Sequence, residues 1–461
     1  MDPPPPRARA RPPWVAGAWT RLRTPDRRLL ALAILVQVAL AAVPLHRSYD
    51  RTTFEAAGYL VGTGQSPYAA RDLSAVFHAA AFHHFATVGY PPPWPLLLGG
   101  IYRLTYALVP SQDLYAFAIK LPAIAAVVGL GFLTAATLQN LGASPVLVRR
   151  AWLAVLFNPF LIYVAAVRGQ TDPIVAVLAL AALVLVASGR RDLSALTLAL
   201  AVCVKPTAAP LLLAVLVVVA AASLPGAVRY ATVFVAGALA FYVLPFVVLG
   251  WDVAPFGRAN AQLALAGAMS PATLARLWTD PVILQGWWWL LGLAWLPAVV
   301  IAALVARRGP ADFPGLLTLG VALTLVFFLL RTWLAETNVV VVLAPVLILV
   351  MLGRLDRRLY SALWILPLVM TLLYLWPVKL LWAVAPGVVA QAALWAERSG
   401  TLLLAVRIAL IVAWQVAGWW TVVACVRARR SPVLASAESG GAWSPRRGGE
   451  TARAGGPGGT S

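Results

Sequence analysis

Asp50 is the residue best placed to do chemistry in this chain, standing five residues past the end of the apolar run 29–45. A carboxylate at a membrane surface can take a proton from a hydroxyl or hold a divalent metal. Around it lie His46-Arg47-Ser48-Tyr49-Asp50-Arg51, then Glu55, then Gly64-Gln65-Ser66-Pro67-Tyr68, so Arg47, Glu55 and Tyr68 are candidates for substrate contact. The plain alternative is an ion pair of Asp50 with Arg47 or Arg51, or a helix cap. Asp50 and Glu55 fall about 140° apart around a helix and do not form a two-carboxylate metal clamp by themselves.

A second polar group is Arg168-Gly169-Gln170-Thr171-Asp172-Pro173, with Asn158-Pro159 one span length earlier. Lipid would penalise such a run by several kcal/mol per unpaired group, so it faces water or a polar cavity. Arg168, Gln170 and Asp172 are candidate binding residues. A helix start before proline and an i,i+4 pair of Arg168 with Asp172 explain the same residues blandly. A third group is Arg331-Thr332-Trp333-Leu334-Ala335-Glu336-Thr337-Asn338. Arg331 can clamp a phosphate and Trp333 can cover a sugar or isoprenoid face, with Glu336 beside them. An interfacial anchor with a salt bridge is the alternative. Lys205, in Val204-Lys205-Pro206, is available to a phosphate or simply snorkels.

Other reactive types carry less. His78, His83 and His84 lack a matching cysteine or carboxylate pattern for a structural metal and fit a surface-lying amphipathic helix. Cys203 and Cys425 both fall in apolar runs and read as buried packing residues. No Gly-rich phosphate loop, nucleophile elbow or zinc-protease pair occurs.

The elements that must position these residues follow from composition. With 61% hydrophobic residues and a mean hydropathy of +0.84, the chain reads as an all-α polytopic membrane protein. Its continuous apolar runs exclude a β-barrel, whose strands alternate. The net charge of +20 reports topology and not nucleic acid. Arginines crowd both tails, so both termini are expected in the cytoplasm and the number of crossings is even. Of thirteen apolar stretches, one must therefore fail to span. That one is 90–109, which opens Tyr90-Pro91-Pro92-Pro93-Trp94-Pro95 and carries Arg103, and it is expected to be a re-entrant or surface-lying helix.

About twelve transmembrane helices remain, beginning near Leu29, Lys120, Ala151, Pro173, Leu193, Pro206, Tyr230, Gly286, Phe313, Val339, Leu359 and Thr401. The stretch after Leu193 is short, and 193–222 is either one span or a broken pair. Residues 1–28 and 427–461 are expected to be disordered cytoplasmic tails flanking a membrane domain, 29–426, with a first outer loop at 46–119 and a second at 251–285. No soluble domain of any size is expected. Asp50, Glu55, Asp72, Asp113, Asp172, Asp252, Asp280, Glu336, Glu397 and every histidine fall on the outer face, which is the economical place for a site.

The order of these pieces resembles the GT-C class of membrane glycosyltransferases, and within it the polyprenol-phosphate-mannose-dependent mannosyltransferases related to the GPI mannosyltransferase catalytic subunit and its bacterial relatives. Tyr49-Asp50, Gly64 to Tyr68, the Tyr90-Pro91-Pro92-Pro93 turn, Asn158-Pro159 with Arg168 to Asp172, and Val204-Lys205-Pro206-Thr207 carry the likeness, over about residues 29 to 210. The resemblance implies transfer of a sugar, mannose by preference, from a polyprenyl-phosphate carrier to a lipid or glycan acceptor, with inversion. Asp50 would be the base. Arg331, Lys205 and Arg168 would stabilise the leaving phosphate, and Asp172 and Gln170 would hold hydroxyls. Many relatives carry two acids in the first loop; here Asp50 stands with an arginine after it, and a divalent metal, if used, would rest on Asp50. The bacterial likeness places the chain in the plasma membrane of a prokaryote. The competing reading is a transporter or flippase for a glycolipid or other amphiphile. Transporters commonly carry midplane charges and internal repeats, whereas the charges here gather at span ends.

Overall fold

The structure is a computed structural model that describes residues 26–43, 49–78, 82, 85, 87–257, 267–275, 293, 295–306, 312–375 and 400–430. Its helices are α1 Arg27–Ala42, α2 Tyr49–Gly62, α3 Ser74–Phe77, α4 Pro93–Leu104, α5 Gln112–Asn140, α6 Pro145–Leu156, α7 Pro159–Ile162, α8 Asp172–Ala187, α9 Arg191–Val204 and α10 Pro210–Ala222. They continue with α11 Leu224–Ala238, α12 Leu244–Leu249, α13 Pro271–Ala275, α14 Trp295–Ala306, α15 Phe313–Leu330, α16 Val340–Met351, α17 Arg357–Leu375 and α18 Gly400–Arg430. Two-residue strands Gly267–Ala268 and Trp333–Leu334 pair in parallel, Gly267 with Trp333 and Ala268 with Leu334. Residues Met1–Arg429 form one unit; of the second, Arg430–Ser461, only Arg430 is described.

Why helices sit where they do is visible at their ends. Asn158 accepts from the backbone N–H groups of Phe160 and Leu161, and Asp312 accepts from that of Gly315. Prolines occupy the first turns of α4, α6, α7, α8, α11 and α15, where no backbone donor is needed. In α15 every residue from Gly315 to Leu329 is buried, and in α16 every residue from Val340 to Leu349 is. Helices apolar all round belong at the centre of a bundle. On the outside, Val247 and Val248 of α12 and Val416 and Trp420 of α18 are exposed. A surface as apolar as its interior is what lipid selects.

Among the described residues, five stretches are long and apolar enough to cross a membrane, Gln112–Asn140, Pro145–Val167, Leu224–Leu249, Phe313–Leu330 and Gly400–Arg429, and three shorter apolar helices join them, Asp172–Ala187, Pro206–Ala222 and Glu336–Met351. The chain therefore has the helices of a membrane protein, but the described residues do not supply about twelve full spans. Helical segments cover the expected starts, although those near Lys120, Ala151 and Tyr230 begin earlier, at Gln112, Pro145 and Leu224, and Gly286 lies outside the described residues. Caps and prolines cut several of them to lengths of about 20 Å against a hydrocarbon core of about 30 Å. The 193–222 stretch is a broken pair: α9 stops at Val204, Lys205 is extended, and a 3-10 turn Pro206–Ala208 precedes α10.

The 90–109 stretch forms α4, whose 12 residues rise only about 18 Å, too little to cross. It packs on α2 through glycines. A Cβ on Gly99 would sit 2.4 Å from Val61 Cγ1, and one on Gly62 would sit 2.2 Å from Tyr102 Cδ1. Arg103 Nε closes the contact by donating to the Gly62 carbonyl at 2.9 Å. Beneath these helices lies a second core, separate from that of the bundle, holding Phe54, Tyr68, Phe77, Trp94, Tyr102 and Tyr115 with Phe246, Trp251 and Phe256. The first loop is thus a small folded layer with its own aromatic core, where no such body was expected. The helix expected to carry His78 ends one residue before it: α3 stops at Phe77 and His78 takes a left-handed conformation, φ 48°. His46, His83, His84, Arg47 and both tails up to residue 25 and from 431 lie outside the described residues.

Candidate functional site

The site is built on a turn that requires a glycine. After α7 the chain makes a π-helical turn, Tyr163–Val167, then leaves the helix through Arg168. Gly169 adopts φ +64°, and a Cβ there would lie 2.9 Å from Lys120 Cγ on α5, so glycine is required both for the left-handed backbone and for the approach. The Gln170 N–H returns to the Val164 carbonyl at 3.0 Å. This hairpin of backbone points Arg168 and Gln170 at the first turn of α2.

There they meet Asp50. Its Oδ2 accepts from Arg168 Nη2 at 2.8 Å and from Gln170 Nε2 at 2.8 Å. Among the described residues Oδ1 receives no hydrogen bond. The two side chains of the ion pair are 22% and 26% exposed, so the pair is sheltered yet reachable from solvent. Burial works against the Arg168 charge, but Asp50, Tyr163 and Glu336 more than offset it, and its pKa lies above the ordinary arginine value. Tyr90 donates its hydroxyl to Gln170 Oε1 at 3.3 Å, which fixes the amide so that its NH2 faces Asp50. Burial, then the carboxylates of Asp50 and Asp172, hold the Tyr90 phenol well above its usual range.

Two of the plain pairings expected from spacing are not made, and the third, Asp50 with Arg47, lies outside the described residues. Asp50 does not pair with Arg51, which instead reaches Glu55 Oε1 at 2.5 Å, and Arg168 does not pair with Asp172. Asp172, 1% exposed, is held by Lys205 Nζ at 2.7 and 2.9 Å to its two oxygens. A proline-terminated α9 delivers that lysine. Glu336 is buried in the 3-10 turn ahead of α16, and Arg168, Arg407 and Asp50 all act on its charge. Arg331, by contrast, forms no ion pair among the described residues and lies over the Phe327 ring at 5.2 Å; burial lowers its pKa.

Two expected contacts are drawn elsewhere. Glu55 is fully buried with both oxygens taken, by Arg51 and by Gln112 Nε2 at 2.7 Å, because its position on α2 faces α5. Tyr68 is also fully buried. It stacks on Phe246 at 5.0 Å and donates to the Tyr90 carbonyl at 3.0 Å, which makes it a support for Tyr90.

A divalent cation needs several oxygen ligands. Among the described residues no three His, Cys, Asp or Glu side chains gather to offer them, and Asp50 shares its surroundings with a guanidinium. The described residues around Asp50 do not supply such a donor set. Cys203 and Cys425 are free and buried, as packing residues.

Tyr163, Tyr90 and Arg407 also interact with the charges of the site, beyond the residues that type and spacing single out. The missed signal for Arg407 is an arginine inside an apolar helix, which the bilayer tolerates only when it turns inward to a partner. For Tyr163 and Tyr90 nothing in the local sequence marks them. No protein-family model matches the chain, and no curated protein matches it. Fold and site together define a bundle of apolar helices, several long enough to cross a membrane, that carries Asp50, Arg168, Asp172, Lys205 and Glu336 where irregular turns meet helix ends.

Proposed function

We propose that the protein is a membrane glycosyltransferase of the GT-C kind. It moves a sugar, with mannose the first to test, from a polyprenyl-phosphate carrier to a lipid or glycan acceptor on the outer face of the membrane, and both termini lie in the cytoplasm. The observation that carries this reading is the meeting of Asp50 with Arg168 and Gln170: two donors hold one carboxylate oxygen and leave Oδ1 for a proton. The short α4 packed on α2 supports it too, since members of the class this chain resembles place surface-lying helices between their first and second spans.

In the reaction the acceptor hydroxyl attacks the anomeric carbon opposite the phosphate. The new C–O bond forms as the anomeric carbon–phosphate oxygen bond breaks, Asp50 takes the hydroxyl proton, and polyprenyl phosphate leaves with the bonding pair. Arg331 is the cation assigned to that phosphate, because Arg168 and Lys205 each already face a carboxylate. Gln170 holds the Asp50 carboxylate in place, and Asp172 is held by Lys205.

The test is transfer of radiolabelled sugar from polyprenyl-phosphate-mannose into membrane lipid or glycan, comparing wild type with Asp50→Asn at equal expression. Loss confined to the variant, by about 100-fold or more, supports the reading. Full activity in Asp50→Asn removes Asp50 as base. Inactivity of both, repeated with other carrier-linked sugars, moves the protein to the transporter class.

A further inference from the structure

The π-helical turn Tyr163–Val167 is an irregularity of a kind that recurs at functional sites, and its consequence here is the placement of Tyr163. That residue is 6% exposed, and its hydroxyl has no hydrogen-bond partner among the described residues. Three other buried tyrosines are satisfied: Tyr68 donates to the Tyr90 carbonyl, Tyr115 to that of Glu55, and the Tyr230 hydroxyl meets Ser194. The Tyr163 main chain is itself pinned to the site, its carbonyl accepting from the Arg168 N–H at 3.0 Å. Its electrostatic neighbours are Arg168, Glu336 and Asp50, contributed by three separate segments. Two residues past Glu336, the carboxamide oxygen of Asn338, 3% exposed, is likewise unpartnered. Buried polar groups without partners are rare, and a cluster of charges is where a polar ligand completes them.

We propose that the Tyr163 hydroxyl is a ligand-binding group that donates a hydrogen bond to a hydroxyl of the transferred sugar, seated between Asp50 and Glu336. This rests on the glycosyltransferase reading. The phenol gives up no bond within the protein to make this one, so the bond appears only with substrate present.

The experiment compares the full chain and its Tyr163→Phe variant in lipid nanodiscs. It measures the thermal midpoint without ligand, the shift of that midpoint on adding polyprenyl-phosphate-mannose, and kcat/KM for transfer. The phenylalanine variant is expected to melt at or above the wild-type temperature when ligand-free, to lose most of the ligand-induced shift, and to transfer about tenfold or more slowly, the worth of one hydrogen bond. A variant that responds to donor as wild type does overturns the proposal. So does a fall in its ligand-free midpoint, which would place the hydroxyl in a bond within the protein. Silence of the wild type toward every carrier-linked sugar is a different failure, which removes the glycosyltransferase reading and the sugar assignment with it.

Discussion

Asp50 and Arg168, 118 positions apart in the chain, form a 2.8 Å ion pair between the first turn of α2 and the turn that precedes α8. Each has a nearer partner of opposite charge in sequence, Arg51 for one and Asp172 for the other, and uses neither. The bundle therefore selects the pairing, and the coupling between the two should be measurable. In a double-mutant cycle of Asp50→Asn with Arg168→Gln, followed by unfolding in nanodiscs, the interaction energy is expected to be about 1–3 kcal/mol. A cycle that closes to zero would mean the two side chains do not depend on each other.

Lys205 should matter to stability before it matters to activity. Its partner Asp172 is 1% exposed, and removing one member of a buried pair leaves a charge with no compensation. Lys205→Met is expected to cost about 3–5 kcal/mol, and the double variant with Asp172→Leu to recover much of that loss. Detergent-resistance or chemical unfolding of the three proteins checks it, with equal stability of Lys205→Met and wild type as the contrary result.

Gly169→Ala tests the turn itself. The left-handed backbone costs a side chain about 1–2 kcal/mol, and the new Cβ meets Lys120 Cγ at 2.9 Å. Shortening the neighbour in a Gly169→Ala/Lys120→Ala protein relieves the contact but leaves the backbone cost, so rescue of the melting midpoint is expected to be partial. Full rescue would assign the whole effect to crowding.

Tyr90 gives the site an alkaline limit. Its folded pKa is raised above the ordinary 10.0 by burial and then by Asp50 and Asp172, so the folded state holds the proton that the unfolded chain releases first. The stability it contributes is complete below pH about 10 and is lost as pH rises from there toward the folded pKa. Thermal midpoints taken from neutral to strongly alkaline pH should fall less steeply in Tyr90→Phe than in wild type. Parallel curves would sink the assignment.

Much of the organisation can be read from residue order because its causes are local. Long apolar stretches, capping residues and prolines dictate helices and their ends: Asn158, Asp312 and the prolines opening α4 and α8 act within one turn of where they stand. The residues of the site were also visible as types, since a carboxylate or guanidinium in so apolar a chain must find a polar setting. What the sequence could not determine is which charge meets which. At short range Arg51 was as available to Asp50 as to Glu55, and only the packing of α2 on α4 and α5 turns Glu55 inward to Gln112 while leaving Asp50 at the rim. Tyr68 belongs to the aromatic core for the same reason, because its partners Phe246, Trp251 and Phe256 lie far away in the chain. The approach of Arg407 to Glu336 and the vacant hydroxyl of Tyr163 likewise arise from helices brought together at long range. Local propensity sets the elements; the pairing of buried charges is set by the desolvation each would suffer alone, and that quantity exists only once the bundle has closed around them.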